Sequence, residues 1–333
     1  MRVLLIGGTG LISTGIVKHL CARGAEVTVY NRARRESTLP KEVKHLVGDR
    51  NDKGFATFFA DKPFDVVIDM ICFTPEQAEA DVRAFAGACE QFIFCSTVCS
   101  YGVKVPPNVL VDESFEQEPI SDYGKNKLAC EQIFKRADES GQFSVTIVRP
   151  SHTYGPGNPL IDNLEGNAVA WDRIERGLPV LCGGDGLGLW NSTHRDDCGK
   201  LFAYAALNTK TFGKSYNATT DRAFTWRDYY REAAAALGKR ASVIFMPADW
   251  ITARDPKRFG LLKTITAFHG AYTSAAAKRD VPEFECEIDF LEGAAQTLQD
   301  CKRRNAWKSC EGDSLYQTMV DEALSFGIKP VEL

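Results

Sequence analysis

The chain has 333 residues, 44% of them apolar and 25% charged, with a formal net charge of −4. That length can bury one large core or two, in the composition of a soluble globular protein. The acidic balance argues against nucleic acid as a partner. No stretch approaches the roughly 20 consecutive apolar residues that span a bilayer, and the glycine-broken N-terminal run is too short for a signal sequence. The 11 scattered cysteines include no Cys-x-x-Cys pair, which predicts reduced thiols in a cytoplasmic protein without a metal site.

The first fifteen residues organise the rest. Val3 to Ile6 is an apolar run that breaks into Gly7, Gly8 and Gly10, and an amphipathic pattern follows from Leu11 to Leu20. This predicts a buried strand, a tight turn and a helix whose first N–H groups, from Leu11 and Ile12 onward, can seat a pyrophosphate. Ser13 stands where a third glycine would be expected to let the helix pack closely. Ala25 to Tyr30 predicts a second strand, ending in Asn31-Arg32-Ala33-Arg34-Arg35. A carboxylate there would hold a ribose 2′-hydroxyl and select NAD, whereas an arginine pairs with a 2′-phosphate. The carboxylate is missing, so Arg32 and Arg35 favour NADP(H), while Asn31 can hydrogen-bond the ribose of either cofactor. A third strand, Val43 to Val47, ends in Gly48-Asp49-Arg50. Asp49 and Arg50 are candidates for the adenine end of a dinucleotide, with a simple turn as the alternative.

Phe64 to Met70 predicts a fourth strand, Pro75 to Glu90 a helix, and Gln91 to Cys95 a fifth strand. Strands alternating with helices imply an α/β fold, a doubly wound parallel sheet with right-handed crossovers. Ser96 and Thr97 then place hydroxyls just past a strand's carboxyl end, where ligands bind in such sheets. In the next helix, extending to about Arg136, Tyr123 and Lys127 are four apart and share a face. A neighbouring ammonium and an oxidised nicotinamide would lower a phenol from its usual value near 10. That fits Tyr123 for general acid/base work.

With Val148-Arg-Pro-Ser-His-Thr-Tyr-Gly-Pro-Gly157 added to the glycine turn, FIFCSTVCSYG and YGKNKLACEQ, the chain resembles the extended short-chain dehydrogenase/reductase family of nucleotide-sugar epimerases and dehydratases. The resemblance implies a Rossmann domain over residues 1–157, with returning segments near 190–220, and a smaller substrate lobe over 158–333. It implies that Tyr123 is the catalytic acid/base, that Lys127 supports it and holds the nicotinamide ribose, and that Thr97 orients the substrate hydroxyl. Ser96 is the alternative for Thr97's role and a cofactor contact, and Pro150 lies beside the nicotinamide. His152 replaces a substrate-binding Asn. His194 and Arg195 are candidates for the substrate pocket. The segment Asp69-Met-Ile-Cys-Phe73 and the Tyr-Asn-Arg strand end resemble the branch of the chloroplast stem-loop RNA-binding proteins. The implied activity is NAD(P)-linked chemistry on a sugar or nucleotide-sugar, with epimerisation slightly ahead of dehydrogenation or reduction of a carbohydrate or polyol. Dehydration is disfavoured, because Val98 and Cys99 stand where the acidic pair of dehydratases follows the Thr. A nucleotide-dependent RNA-binding protein is the reading from another class. The family also implies a homodimer.

Beyond Asn158 the alternation is lost. Leu160 to Arg176 predicts a helix, Pro179 to Cys182 a strand, and Gly183 to Gly188 a turn. Asp196 or Asp197 is expected to cap a helix. Lys214 to Ala218 predicts a strand, Thr225 to Leu237 a helix, and the helical tail a satellite core of Trp250, Phe259 and Trp307.

Overall fold

A computed structural model describes residues 1–34 and 39–333. The first 153 residues fold as strands β1 (Arg2–Ile6), β2 (Glu26–Asn31), β3 (Lys44–Val47), β4 (Val66–Asp69), β5 (Gln91–Cys95) and β6 (Ser144–Pro150). Between them run helices α1 (Leu11–Ala22), α2 (Phe55–Phe58), α3 (Pro75–Phe85) and α4 (Asp122–Glu139). A later strand, Lys214–Ala218, completes a seven-stranded sheet in the order 214–218, β6, β5, β4, β1, β2, β3. Every pairing in it is parallel. The strand order reverses between β1 and β4, where Ile6 and Asp69 are in register at the carboxyl ends. That is the switch point where ligands bind in open α/β sheets.

Both faces of the sheet's centre are covered, so β1, β4 and β5 read as near-continuous apolar runs rather than alternating ones. Val3, Leu5, Val29 and Ile68 pack on one side with Ile16, Val17 and Leu20 of α1 and with the helix Arg195–Ala205. Leu4, Ile6, Val67, Phe92 and Phe94 pack on the other with Phe85 of α3 and Phe134 of α4. Helix α1 and the helix 195–205 approach to backbone contact. A Cβ on Gly199 would lie 2.4 Å from the carbonyl carbon of Gly15, and one on Gly15 would lie 2.4 Å from the carbonyl oxygen of Arg195. The close approach expected around Ser13 therefore belongs to Gly15, while the Ser13 hydroxyl donates to the Gly7 carbonyl at 2.9 Å.

The contacts divide the chain into two units: Met1–Thr153 with Arg195–Thr220 and Tyr272–Glu287, and Tyr154–His194 with Asp221–Ala271 and Ile288–Leu333. In the second unit the strand Leu189–His194 pairs antiparallel with Ala223–Thr225. Val180–Gly183 pairs parallel with Ser242–Met246, which pairs antiparallel with Val331–Glu332. Its main core gathers Trp171, Trp226, Tyr229, Tyr230 and Phe290. All five tryptophans belong to this unit.

Three expectations are corrected here. The helix expected over 160–176 is confined to Val169–Glu175, because Asp162 binds the N–H groups of Leu164 and Glu165 at 2.6 Å and turns the chain. Trp250, Phe259 and Trp307 do not share a core. Trp250 and Phe259 pack with Tyr316 and Met319, whereas Trp307 packs on the Trp171 cluster and donates to Asp172 at 2.8 Å. Asp196 and Asp197 lie inside the first turn of 195–205 rather than at its cap. Asp196 binds Lys18 at 2.6 Å, and Asp197 accepts from the Glu287 N–H at 3.2 Å. Among the described residues no helix is long and apolar enough to cross a membrane.

Candidate active site

At the switch point Gly7 adopts φ +87°, a left-handed conformation, and its N–H donates to the Tyr30 carbonyl at 2.9 Å. A side chain would not fit there in any case, since its Cβ would lie 2.5 Å from Ile71. Gly8 is equally enclosed, 2.3 Å from Val29. Gly10 differs. It is the N-cap of α1 without a side-chain cap, and its Cβ would meet only Ser13 Oγ at 3.4 Å and the Gly7 carbonyl oxygen at 3.8 Å. Its open side faces a cavity, and the first N–H groups of α1, including those of Leu11 and Ile12, have no partner within the helix. With the positive end of the helix dipole this forms an anion seat.

The cavity has a volume of about 400 Å³ and lies wholly within the first unit. Gly7, Thr9 and Gly10 close one end, and Tyr30, Asn31, Arg32 and Arg34 line it from the end of β2. Gly48, Asp49 and Asn51 line it after β3, with Ile71, Phe73 and Gln77 opposite. Asn31 accepts from the Ala33 N–H at 2.7 Å through Oδ1, but its buried Nδ2 has no partner among the described residues. An orphaned donor beside an open glycine cradle fits a bound dinucleotide. Arg32 is exposed, 3.8 Å from Asp49, and Arg34 shares the rim; Arg35 lies outside the described residues. Asp49 spends one oxygen on the Asn51 N–H at 3.0 Å.

Arg50 lines the cavity, but its guanidinium turns inward. It binds Asp69 at 2.5 Å and Asp81 at 3.0 Å, and all three side chains are buried. Burial works against the guanidinium charge, and Asp69 and Asp81 more than offset it. Burial, then repulsion from Asp69, holds the Asp81 carboxyl well above the usual carboxylate range. Asp69, Cys72 and Asp81 place donor atoms within 4.8 Å of one another, as a metal would require, but the arginine already occupies the carboxylates. The signal was present in the sequence. Asp81 shares the buried face of α3 with Ala78 and Phe85, an unusual place for an unpaired charge.

Tyr123 enters through the first turn of α4, which Ser121 caps by accepting from the Gly124 N–H at 3.1 Å. A Cβ on Gly124 would lie 2.4 Å from the Cys99 carbonyl oxygen. Glycine therefore lets the helix meet the turn Val98–Ser100, whose N-cap is Thr97. Thr97 Oγ accepts from the Cys99 N–H at 3.2 Å, leaving its own proton to donate. Lys127, 1% exposed, donates to the carbonyls of Cys72 at 2.8 Å and Cys95 at 2.7 Å. Its ammonium lies 5.9 Å from the Tyr123 ring centre. The ring of Tyr123 is 43% exposed, but its oxygen end is crowded. Burial, with the Cys95 and Cys99 thiols, raises the phenol above its ordinary value, and a hydrogen bond with Thr97 only partly opposes this. The expected lowering by Lys127 is absent in the protein alone, because that ammonium is directed at the two carbonyls.

Behind Thr97 lies a buried network that the sequence reading missed. Glu131 receives Ser96 Oγ at 2.5 Å, Arg149 Nε at 2.9 Å and Nη2 at 2.6 Å, and Gln117 at 3.2 Å. Arg149 also donates to the Tyr101 hydroxyl at 2.8 Å. The Ser96 hydroxyl is thus directed inward to Glu131. Pro150 ends β6, in register with Ala218. Burial pushes the His152 imidazole down to about 3, so it is neutral. Arg195 belongs to the first unit and lies 3.4 Å from Asp196. His194 belongs to the second, edge-on to Tyr154 with ring centres 5.5 Å apart.

A doubly wound sheet with a glycine turn at its switch point and a Tyr–Lys pair on α4 defines a dinucleotide-dependent enzyme of the extended short-chain type. The chain belongs to the NAD dependent epimerase/dehydratase family, whose profile matches residues 3–218. It is 29% identical over 252 residues to the 2′-dehydrokanamycin reductase of Streptomyces kanamyceticus, covering 75% of this chain and 70% of that protein. It is 26% identical over 313 residues to the chloroplast stem-loop binding protein of 41 kDa b of Arabidopsis thaliana, covering 88% and 77%. Among solved structures, the UDP-glucuronic acid 4-epimerase of Bacillus cereus superposes with a TM-score of 0.73 at 17% identity, covering 91% of this chain and all of that one. The UDP-glucose 4-epimerase of Thermus thermophilus, in complex with NAD, superposes with a TM-score of 0.70 at 23% identity, covering 91% and 99%.

Proposed function

We propose that the chain catalyses NADP(H)-linked reduction of a keto group on a carbohydrate, and the reverse oxidation of the secondary alcohol. The observation that carries this is the placement of Tyr123 beside Thr97 and four residues before Lys127 on α4, with the glycine-lined cavity in the same unit. Asn31, Arg32 and Arg34 would hold the adenosine end, Gly7 and Gly10 the pyrophosphate, and Lys127 the nicotinamide ribose. Bound there, the dinucleotide would supply the hydride that reduces the substrate carbon. Thr97 orients the substrate oxygen through its hydroxyl. Tyr123 gives its proton to the same oxygen as negative charge develops there.

Two arginines at a strand end without a carboxylate support NADP(H) over NAD. Reduction is preferred to epimerisation because the ketosugar reductase matches 75% of this chain, whereas the curated UDP-glucose 4-epimerases match 40–52%. The test is to denature the purified protein, identify any released nucleotide by mass, and then titrate NADPH and NADH. Reversible binding with NADPH preferred, followed by turnover on ketosugars, supports the proposal. Stoichiometric, tightly held NAD(H) would convert the reading to an epimerase, and binding of neither dinucleotide would sink it.

A further inference from the structure

Between the dinucleotide cavity and Lys127 stands a pair of cysteines with no part in the proposed reaction. Cys72, in the turn after β4, and Cys130, on α4 three residues beyond Lys127, place their sulfurs 3.8 Å apart. Both are fully buried and neither is bridged. Closing to the roughly 2.05 Å of a disulfide needs an approach of roughly 1.8 Å. The turn that would move is tied to both halves of the site. Ile71 packs against Gly7 and lines the cavity, Phe73 lines it too, and the Cys72 carbonyl is one of the two acceptors that hold Lys127.

We propose that Cys72 and Cys130 are a reversible oxidation site, whose disulfide draws the cavity wall toward α4 and weakens dinucleotide binding.

The two thiols are unequal in the way exchange chemistry requires. Cys72 donates toward Cys130, and that bond, with the nearby Lys127 and Arg50 charges, lowers the Cys130 thiol below its ordinary value. Burial raises Cys72 well above its own. Cys130 is therefore the attacking sulfur. With a hydroperoxide as oxidant, the Cys130 thiolate takes one peroxide oxygen, the O–O bond breaks, and Cys130 becomes a sulfenic acid as hydroxide leaves. Cys72 then attacks that sulfur, the S–S bond forms, the S–O bond breaks, and the oxygen leaves as water with the Cys72 proton. In total, two thiols and one hydrogen peroxide give one disulfide and two waters. Phe73, adjacent in sequence to Cys72, is exposed at the cavity, so a small oxidant has a short path.

The effect on binding rests on the cavity being the dinucleotide site, but the bond does not, so two readouts separate them. The full-length protein is treated with hydrogen peroxide, its free thiols are alkylated, and its peptides are mapped. The expected result is a Cys72–Cys130 cross-linked peptide that dithiothreitol reverses. NADPH affinity, read by fluorescence titration, should fall at least about tenfold on oxidation and return on reduction. Cys130→Ala, or Cys130→Ser if the alanine variant folds poorly, should keep its affinity through the same treatment. Oxidation of other cysteines without this bridge overturns the proposal, as does a bridge that leaves affinity unchanged. Failure of the reduced protein to bind NADPH would refute the cofactor reading, while the peptide map would still decide the bridge.

Discussion

Replacing Glu131 with glutamine tests whether the ion pair behind Thr97 holds the first unit together. The substitution keeps the side chain's shape and removes one charge. In the wild type that carboxylate is fully buried and meets Ser96, Arg149 and Gln117. The variant leaves the Arg149 guanidinium buried without a counterion and turns an amide N–H₂ toward it. Breaking such a pair from one side costs about 3–5 kcal/mol. With a urea slope of about 3 kcal/mol/M, the unfolding midpoint should fall by roughly 1–1.7 M. Far-UV circular dichroism is the appropriate signal, because all five tryptophans report on the second unit. Glu131→Leu combined with Arg149→Met should recover most of the loss, since neither charge is then stranded. The pH dependence follows from the same geometry. Burial alone would raise the Glu131 carboxyl, but Arg149, Ser96 and Gln117 bring it below its ordinary 4.5. Its contribution is therefore complete above the unfolded value and is lost as pH falls through the lower folded one. The gap between wild type and Glu131→Gln should stay constant from about pH 8 to 5 and narrow below about 4.5. A midpoint shift under about 0.3 M, or a gap that narrows above pH 6, would refute the reasoning.

Tyr123→Phe should lower turnover by roughly 10²–10⁴-fold and leave NADPH affinity unchanged; a loss confined to KM would remove Tyr123 from the chemistry. In the wild type, kcat/KM for reduction should hold steady up to about pH 10 and decline only above it, because the phenol must be protonated to act. A break near neutrality would show that another group titrates. Gly10→Val should fold within about 1 kcal/mol of wild type, its added side chain meeting no protein wall, yet bind NADPH at least about 100-fold more weakly; unaltered affinity would place the pyrophosphate elsewhere. Gly199→Ala drives a methyl group into the Gly15 backbone and should cost about 3 kcal/mol, or roughly 6–12 °C in thermal midpoint. An unchanged melt would mean that α1 and the helix 195–205 can separate freely.

The sheet was legible because its central strands β1, β4 and β5 are buried on both faces and read as near-continuous apolar runs. The Gly7–Gly10 turn and the four-residue spacing of Tyr123 and Lys127 were legible because each signal lies within one turn of chain. What escaped is carried by partners distant in sequence. The inward turn of Arg50 is set by Asp69 and Asp81, 19 and 31 positions away, which bind it. Ser96 and Thr97 are chemically equivalent in the sequence, and only Glu131 on the following helix draws Ser96 away. Glu131 itself sits on the buried face of α4 with Lys127 and Phe134, and Arg149 is the one charged residue of the buried strand β6. Charges on apolar faces were the available clue. The segment 160–168 has helical periodicity, yet a single aspartate binding two backbone N–H groups competes with the helix and wins.

The first unit is assembled from three separate stretches of chain, and this has a consequence for synthesis. The strand that covers the outer edge of β6 is Lys214–Ala218, and it emerges only after Tyr154–His194 has been made for the other unit. From Pro150 to Ala218 is 68 residues, or about 3–14 s at the usual pace of translation. Throughout that interval a nascent chain carries β6 as a bare parallel edge with unpaired backbone groups, an exposed template for other strands. A ribosome stalled there would hold a cofactor cradle whose sheet lacks its last strand, and chaperone engagement should be greatest in that window.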